Sequence, residues 1–596
     1  MKKERENKKI KKTNEKEKWK VKENVLKEKA ITLIALVIMI ILLIVLASIT
    51  TNMLVGENGI ITQAQRAKSQ TAQEQKEELK KLASLEQQID EAIGNTFMKE
   101  KGVNKPRLTT GMKAIKFTNP TESAKGEVQE SSENDIEWYD YNNKKWANSQ
   151  TEDGSMWVWI PRYAYKVGKI NQKFDIVFLI GTTDNYYDEN ENLQTAKRCN
   201  RIDENVDTTT GYTVHPAFTD ETAISYRNGG WDKELTGIWV AKFEAGYASG
   251  NNSAAVKASS VAYTQSTSWV SAVERGQNVS GNETACNWLD GIYGSKETAI
   301  AYPTFQGTTY GMNYINVEDA YQIAKAMTEN ENIYGFTQEV DSHLMKNSEW
   351  GAMLYLTHSQ YGIGQEKVAL NNINLNSGGV KRTNTAGRSG VDSLYAVTGC
   401  TTGIVTGVNK NTTIDKINQT KGNTASDGVY TWNQKTGTLA STTGTIYGIY
   451  DTNGTLYEQM ASYIANGQEN LKVYGKSITY EKNELKQKST KYTMVYPYDA
   501  TTDKNNIECN ITNRELASTN NWMKNQYIYG DGVKEISTQG IGTTTWYTSM
   551  SIYPALDLPF YIRGGNLYGT QSGDSAFNYH YGSARFGHGF RVTLII

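Results

Sequence analysis

The chain has 596 residues, with 63 Lys and Arg against 64 Asp and Glu and a formal net charge of -1. As a whole it therefore lacks the basic footprint of a nucleic-acid-binding protein. Aromatic residues make up 10% of the chain, with 37 Tyr and 13 Trp, alongside 51 Gly. Such a composition excludes a disordered chain. It suits a loop-rich fold held by aromatic packing, and it equally suits a binding surface, because Tyr offers a large contact area with few rotors.

The charge is unevenly placed: residues 1–29 carry thirteen Lys/Arg against six Asp/Glu. Behind this leader, Ala30 to Gly56 has no charged side chain, and Ile31 to Ile49 is almost wholly aliphatic. A run of that length spans a hydrocarbon core of about 30 Å, which needs roughly 20 residues. It is longer than the apolar region of a cleavable signal peptide. Residues 30–55 are therefore expected to form a transmembrane helix in a lipid bilayer. The basic leader at 1–29 predicts a cytoplasmic N-terminus and an extracellular bulk. Residues 56–95 read as a helical stalk, with Leu82, Leu85, Ile89 and Ala92 on a narrow apolar stripe and Gly94-Asn95 as its end. Cys199, Cys286, Cys400 and Cys509 have no metal-type spacing. One or two disulfides and free buried thiols both fit them.

Residues 96–153 read as a small β-rich module and linker, with a hairpin at 137–146 around Asn142-Asn143-Lys144-Lys145. Residues 156–165 predict a buried strand with Pro161 at an edge or a bulge, and 174–180 a second strand. Residues 182–235 read as a long polar loop and 237–245 as a further strand. Asn316 can cap a helix whose Ala320, Ile323, Ala324 and Met327 follow helical spacing. Another helix is expected from Ser348, with Trp350, Met353 and Leu354 on one face. Residues 370–445 are Gly/Thr/Asn-rich loops. The pattern is α+β, without an internal repeat or βαβ alternation.

Two resemblances rest on particular motifs. Lys29-Ala30-Ile31-Thr32-Leu33-Ile34-Ala35 resembles the start of a type IV prepilin, in which Ala30 would precede the cleavage point. Ala35 stands where pilins carry an assembly-promoting Glu, so a plain anchor and a processed subunit of a pilus-like assembly both remain open. Trp157 to Pro161, Gly237 to Glu244, Asn316 to Ala320, His343 to Trp350, Tyr447 to Glu458, Arg563-Gly564-Gly565 and Gly589-Phe590-Arg591 together resemble the sulfatase-modifying factor domain of the formylglycine-generating enzymes. That resemblance covers residues 154–596 and implies a C-type lectin-like fold rich in irregular loops. The aerobic enzymes of that family hold copper with two cysteines between the last two motifs, soft sulfur ligands selecting that metal. This chain has no cysteine there, so neither copper nor the oxidation is expected. No His-Glu-x-x-His, Gly-x-Ser-x-Gly or phosphate-loop pattern replaces it. His343 reads as a structural residue at a turn. The resemblance also implies calcium at Asn453, Gly454, Leu456 and Glu458, oxygen donors of the kind that ion takes. A tight turn at Asn453-Gly454 with Glu458 as an ordinary acid is the alternative.

The segment 563–591 alternates small spacers with large polar or aromatic residues. It resembles the variable region of lectin-like target proteins of diversity-generating retroelements. Most of its large residues are reachable from an Asn codon by changing adenines, and Gln571 is not. An unvaried surface of the same fold is the alternative. Residues 592–596 are expected to close the core, anchored by Phe590 and Arg591. Asn566, Tyr568, Gln571, Asp574, Asn578, Tyr579, His580, Tyr581, Arg585, Phe586 and His588 are then expected on one ligand-binding face. The resulting expectation is a membrane-anchored, cell-surface adhesion or ligand-binding protein rather than an enzyme, its ligand a protein or a glycan. An oxidase or hydrolase on the same scaffold, and a minor pilin with a binding tip, are the other readings.

Overall fold

The computed structural model describes residues 102–198, 208–220, 230–247, 303–312, 315–329, 332–371, 398–401, 430–503, 511–566, 571–583 and 587–596, together with Met39. The expected transmembrane helix at 30–55 and stalk at 56–95 lie outside them, as do Cys199, Cys286 and Cys509. Among the described residues no helix is long and apolar enough to cross a membrane. The chain divides into two compact units, residues 1–84 and 85–596. Every strand among the described residues belongs to the second unit.

The fold is mixed α+β, mostly sheet with few helices. Its principal strands are β1 (Met112–Phe117), β2 (Val128–Glu130), β3 (Asn148–Thr151), β4 (Met156–Pro161), β5 (Tyr163–Gly168), β6 (Lys173–Phe178) and β7 (Gly237–Ala241). They continue with β8 (Asp341–Leu344), β9 (Tyr457–Ile464), β10 (Met494–Tyr496), β11 (Phe560–Arg563), β12 (Phe577–His580), β13 (His588–Phe590) and β14 (Val592–Ile595). The helices among them are α1 (Val317–Ala326), α2 (Asn347–Thr357), α3 (Glu469–Thr479) and α4 (Ile511–Lys524).

The larger sheet is antiparallel, in the order β8-β14-β7-β4-β3-β1-β2. Every residue of β4 and β7 is buried, which explains why both read as apolar runs rather than as alternating patterns. At their junction Trp159 faces Trp239, with ring centroids 5.2 Å apart. Gly237 makes room for them, since a Cβ there would lie 2.3 Å from the Trp159 ring. Pro161 is the last residue of β4, where no further ladder donor is needed. The expected closing strand is present and lies one in from the sheet edge: β14 sits between β7 and the edge strand β8, with Leu594 opposite Trp239 and Thr593 opposite His343.

The separate module expected at 96–153 is corrected by this sheet. β3 pairs with β4, and β1 pairs with β3, so these residues are part of the main domain. The cause is burial: Trp138 and Trp146 are fully buried in the same apolar cluster as Trp157, and a free-standing module would have left them in water. The hairpin turn is found as a tight loop in which Asp140 and Lys145 exchange both backbone hydrogen bonds at 2.8 Å. Its flanks are not strands. The long loop expected at 182–235 also carries short strands, among them Asn185–Tyr187 paired with Leu193–Thr195.

The second sheet is built on β9. It runs parallel to β10 and β13 and antiparallel to β11, which pairs with β12. A smaller antiparallel sheet joins β5 and β6, where Phe174, Ile176 and Phe178 alternate inward against part-exposed Lys173, Asp175 and Val177. Helix α1 starts as expected, with the Asn316 side chain accepting a 2.7 Å bond from Asp319 N–H. Helix α2 is buried along its whole length, rather than on the single face its pattern suggested. Its tight fit rests on Gly351, where a Cβ would lie 2.1 Å from the Gly530 carbonyl oxygen.

Candidate functional site

The C-terminal segment forms one wall of a cleft. In the ladder between β11 and β12, Phe560 faces His580 and Tyr561 faces Tyr579. The chain then turns at Gly582, whose φ of 89° belongs to the left-handed region. Its N–H donates to His580 Nδ1 at 3.1 Å. An acceptor at Nδ1 means that the neutral imidazole carries its proton on Nε2. Burial drives the His580 pKa down to about 3, so the ring is neutral at physiological pH. The Nε2 atom is buried and, among the described residues, has no hydrogen-bond partner, a costly state for a donor unless a ligand meets it. The His580 ring packs edge-on to His588, with centroids 4.0 Å apart, and His588 packs edge-on to Tyr457 at 5.4 Å.

The opposite wall comes from α4. Arg514 Nη2 lies 3.2 Å from Asp557 Oδ2 and 3.5 Å from the Tyr581 hydroxyl. Between the walls lies a cleft of about 330 Å³, lined by Asn566, Tyr579, His580, Tyr581 and His588 together with Arg514 and Leu558. Tyr579 and Tyr581 are half-buried and present ring surface to it. A guanidinium, an imidazole N–H and two phenols make this lining rich in donors. It suits a ligand with oxygen acceptors and a flat or apolar patch.

Of the eleven expected binding residues eight are described, and five of these line one cleft while Asp574, Gln571 and Asn578 do not. Asp574 is only 4% exposed. Its carboxylate meets His358 Nε2 at 2.8 Å and accepts from Ser575 N–H, also at 2.8 Å. It is a structural anchor, because a carboxylate carried inward needs such partners. Gln571 and Asn578 gather around Met550 instead: the Gln571 carbonyl accepts from Met550 N–H at 2.8 Å, and the Asn578 amide lies 2.9 Å from Met550 Sδ. Tyr568, Arg585 and Phe586 lie outside the described residues. Arg514 and Leu558 were missed; nothing local in the sequence links them to residues 566–588.

The residues expected to hold calcium do not fit that ion. Glu458 is fully buried, and both its oxygens accept from Arg591 Nε, at 3.1 and 3.0 Å, while Arg591 Nη2 lies 2.7 Å from Oε1. The same guanidinium donates to the Ala241 and Tyr450 carbonyls at 2.7 and 2.8 Å. The Asn453 amide donates to the Val368 carbonyl at 2.5 Å. Gly454, at φ 96°, lets the Asn371 carbonyl approach to where a Cβ would lie 2.2 Å away. Leu456 N–H donates to Glu244 Oε1 at 3.3 Å. The segment is thus a tight turn joined to an ion pair, its one carboxylate already engaged by a cation. Among the described residues no group of three or more His, Cys, Asp or Glu side chains is placed to hold a metal ion.

His343, expected to be structural, is buried in β8, with Nε2 2.9 Å from Glu349 Oε1 and Nδ1 3.6 Å from Asp341 Oδ1. Scanned against protein-family models and against curated protein sequences, the chain finds no match in either.

Proposed function

We propose that this protein is a membrane-anchored, cell-surface ligand-binding protein. In this reading its extracellular part is a C-type lectin-like domain of the sulfatase-modifying factor type, and its binding site is the cleft between Arg514 and β12. One observation carries the reading: five residues of the C-terminal segment, separated by small spacers, converge on one cleft whose buried imidazole N–H has no partner among the described residues. The ligand is an acceptor-rich group on a protein or glycan surface. The two-sheet core with a closing strand inserted between two earlier strands supports the lectin-like reading. The uncharged run at 30–55 behind a basic leader supports the anchor and the outward orientation.

The test uses cells that display the full chain, probed with arrays of glycans and of cell-surface proteins. Arg514→Ala and Tyr579→Ala each remove capture by about tenfold or more, the usual scale for a central aromatic or Arg contact. Capture that survives both substitutions removes the cleft from the reading. Protease added to the same intact cells removes the ectodomain; protection until the membrane is breached overturns the orientation.

A further inference from the structure

A second cavity, of about 260 Å³, lies away from the C-terminal cleft, and Glu535 lines it together with Lys534, Lys169, Tyr527 and Tyr529. Three elements hold the Glu535 carboxylate. The Tyr165 hydroxyl of β5 donates to Oε1 at 2.5 Å, and the Tyr355 hydroxyl of α2 donates to Oε2. Gly530 N–H donates to Oε2 at 2.7 Å. Tyr355 is fixed in turn, because its hydroxyl accepts from Gly532 N–H at 3.1 Å. The approach of the Gly530 backbone to α2 depends on Gly351.

This carboxylate has no cation. Among the described residues Glu535 forms no ion pair, and neither do Lys169 or Lys534. Lys534, its neighbour in sequence, places Nζ over the Trp522 ring instead, 3.1 Å from the centroid. A carboxylate offers about four acceptor positions, and the protein fills three of those on Glu535. The cavity therefore keeps one strong acceptor at the carboxylate and, at Lys169 and Lys534, two ammonium groups without a carboxylate partner among the described residues, that of Lys534 resting on the Trp522 ring. Burial without a counter-ion pushes Glu535 up to about 7. Burial and the charge of Lys169 bring Lys534 down to about 8. Both shifts describe charges that lack their complement.

We propose that the Glu535 cavity is a binding site for a free α-amino acid, whose ammonium meets the remaining acceptor position of Glu535 while its carboxylate lies between Lys169 and Lys534. The charges match in number and sign: one acid for the ammonium, and two amines for the carboxylate. The volume lies just below the usual range of ligand pockets, which suits a molecule of this size and not a chain of sugars. Tyr527 and Tyr529 add aromatic surface for the side chain or for the cation. The site is independent of the C-terminal cleft, and so is its test.

The full chain in detergent is titrated with the free proteinogenic amino acids while its melting temperature is followed. A ligand present at about 100 times its Kd adds roughly 2.7 kcal/mol of stability, a readily measured upward shift. At least one free amino acid at about 10 mM raises the melting temperature, while its N-acetyl and amide derivatives do not. Lys534→Ala, a rim substitution outside the hydrogen-bonded core, raises the half-saturating concentration about tenfold. Glu535→Gln abolishes the shift. Tyr579→Ala, in the other cleft, leaves it unchanged. The proposal is overturned if none of the free amino acids shifts the wild-type melting curve. It is equally overturned if blocked derivatives act as well as free ones, or if Lys534→Ala leaves the half-saturating concentration unchanged.

Discussion

Glu458 and Arg591, 133 positions apart, form a fully buried ion pair in which guanidinium Nε lies 3.1 and 3.0 Å from the two carboxylate oxygens. The pair joins the start of β9 to the residue between β13 and β14, so it fastens the second sheet to the closing strand of the first.

Removing one partner leaves the other charged and buried, which costs about 3–5 kcal/mol. Glu458→Ala therefore lowers the melting temperature steeply, and by the same amount with calcium or with chelator present. The double variant Glu458→Leu/Arg591→Met recovers part of the loss, because it leaves no orphaned charge. Thermal denaturation of the three proteins with and without chelator measures this. A loss that appears only with calcium would restore the metal reading.

His343 gives stability a pH dependence. Burial alone would lower its pKa, but the carboxylates of Glu349 and Asp341 raise it to about 9. The folded state thus binds a proton that the unfolded state, near 6.5, has released. Its contribution, about 3 kcal/mol, is fully present below pH 6.5 and is lost as pH rises through 9. Denaturant melts at pH 6 and pH 9.5 should show this decline, and His343→Gln should flatten it.

Val592 and Tyr581 should separate folding from binding. Val592 is fully buried opposite Leu344. Val592→Asp places an unpaired charge in the main sheet and costs several kcal/mol, seen as rapid cleavage in limited proteolysis. Tyr581 is half-buried on the cleft. Tyr581→Ala should keep the proteolysis pattern and weaken ligand capture by about 2 kcal/mol.

Gly582→Ala tests the wall of the cleft. A Cβ there meets the Phe560 ring at 2.6 Å, and φ is 89°. The strain, about 1–3 kcal/mol, falls on the turn whose N–H holds His580 Nδ1. The variant should lose both stability and capture. Capture unchanged in a folded Gly582→Ala protein would detach His580 from the site.

The features legible in the sequence are those encoded locally. The Asn316 cap, helix α2 and the closing strand rest on neighbours within a few residues. The single strand expected at 156–165 is instead two strands of different sheets, β4 ending at Pro161 and β5 starting at Tyr163, and the strand expected over 237–245 ends at Ala241. Helices α3 and α4 escaped notice because they bury little. In α4, Leu516 and Met523 are exposed, and Asn521 holds the helix by accepting from Asp499 N–H at 2.7 Å. The site was legible only in part for the same reason. Spacing could suggest that residues 566–588 share a surface. It could not reveal that Asp574 turns inward to His358, 216 residues away, or that Arg514 arrives from another helix. The acceptor environment of Glu535 depends on Tyr165, 370 residues distant.

The place of β14 inside the main sheet bears on synthesis. Strands β7 and β8 each lack one ladder partner until residues 592–595 have left the ribosome, hundreds of residues after both were made. The largest sheet is thus completed late, through long-range pairing of the slow kind. A product stopped anywhere in residues 563–591 would leave β8 unpaired and one edge of the apolar strand β7 open, a target for aggregation and proteolysis. A completed main sheet thus requires a chain made through residue 595, beyond the segment that lines the cleft.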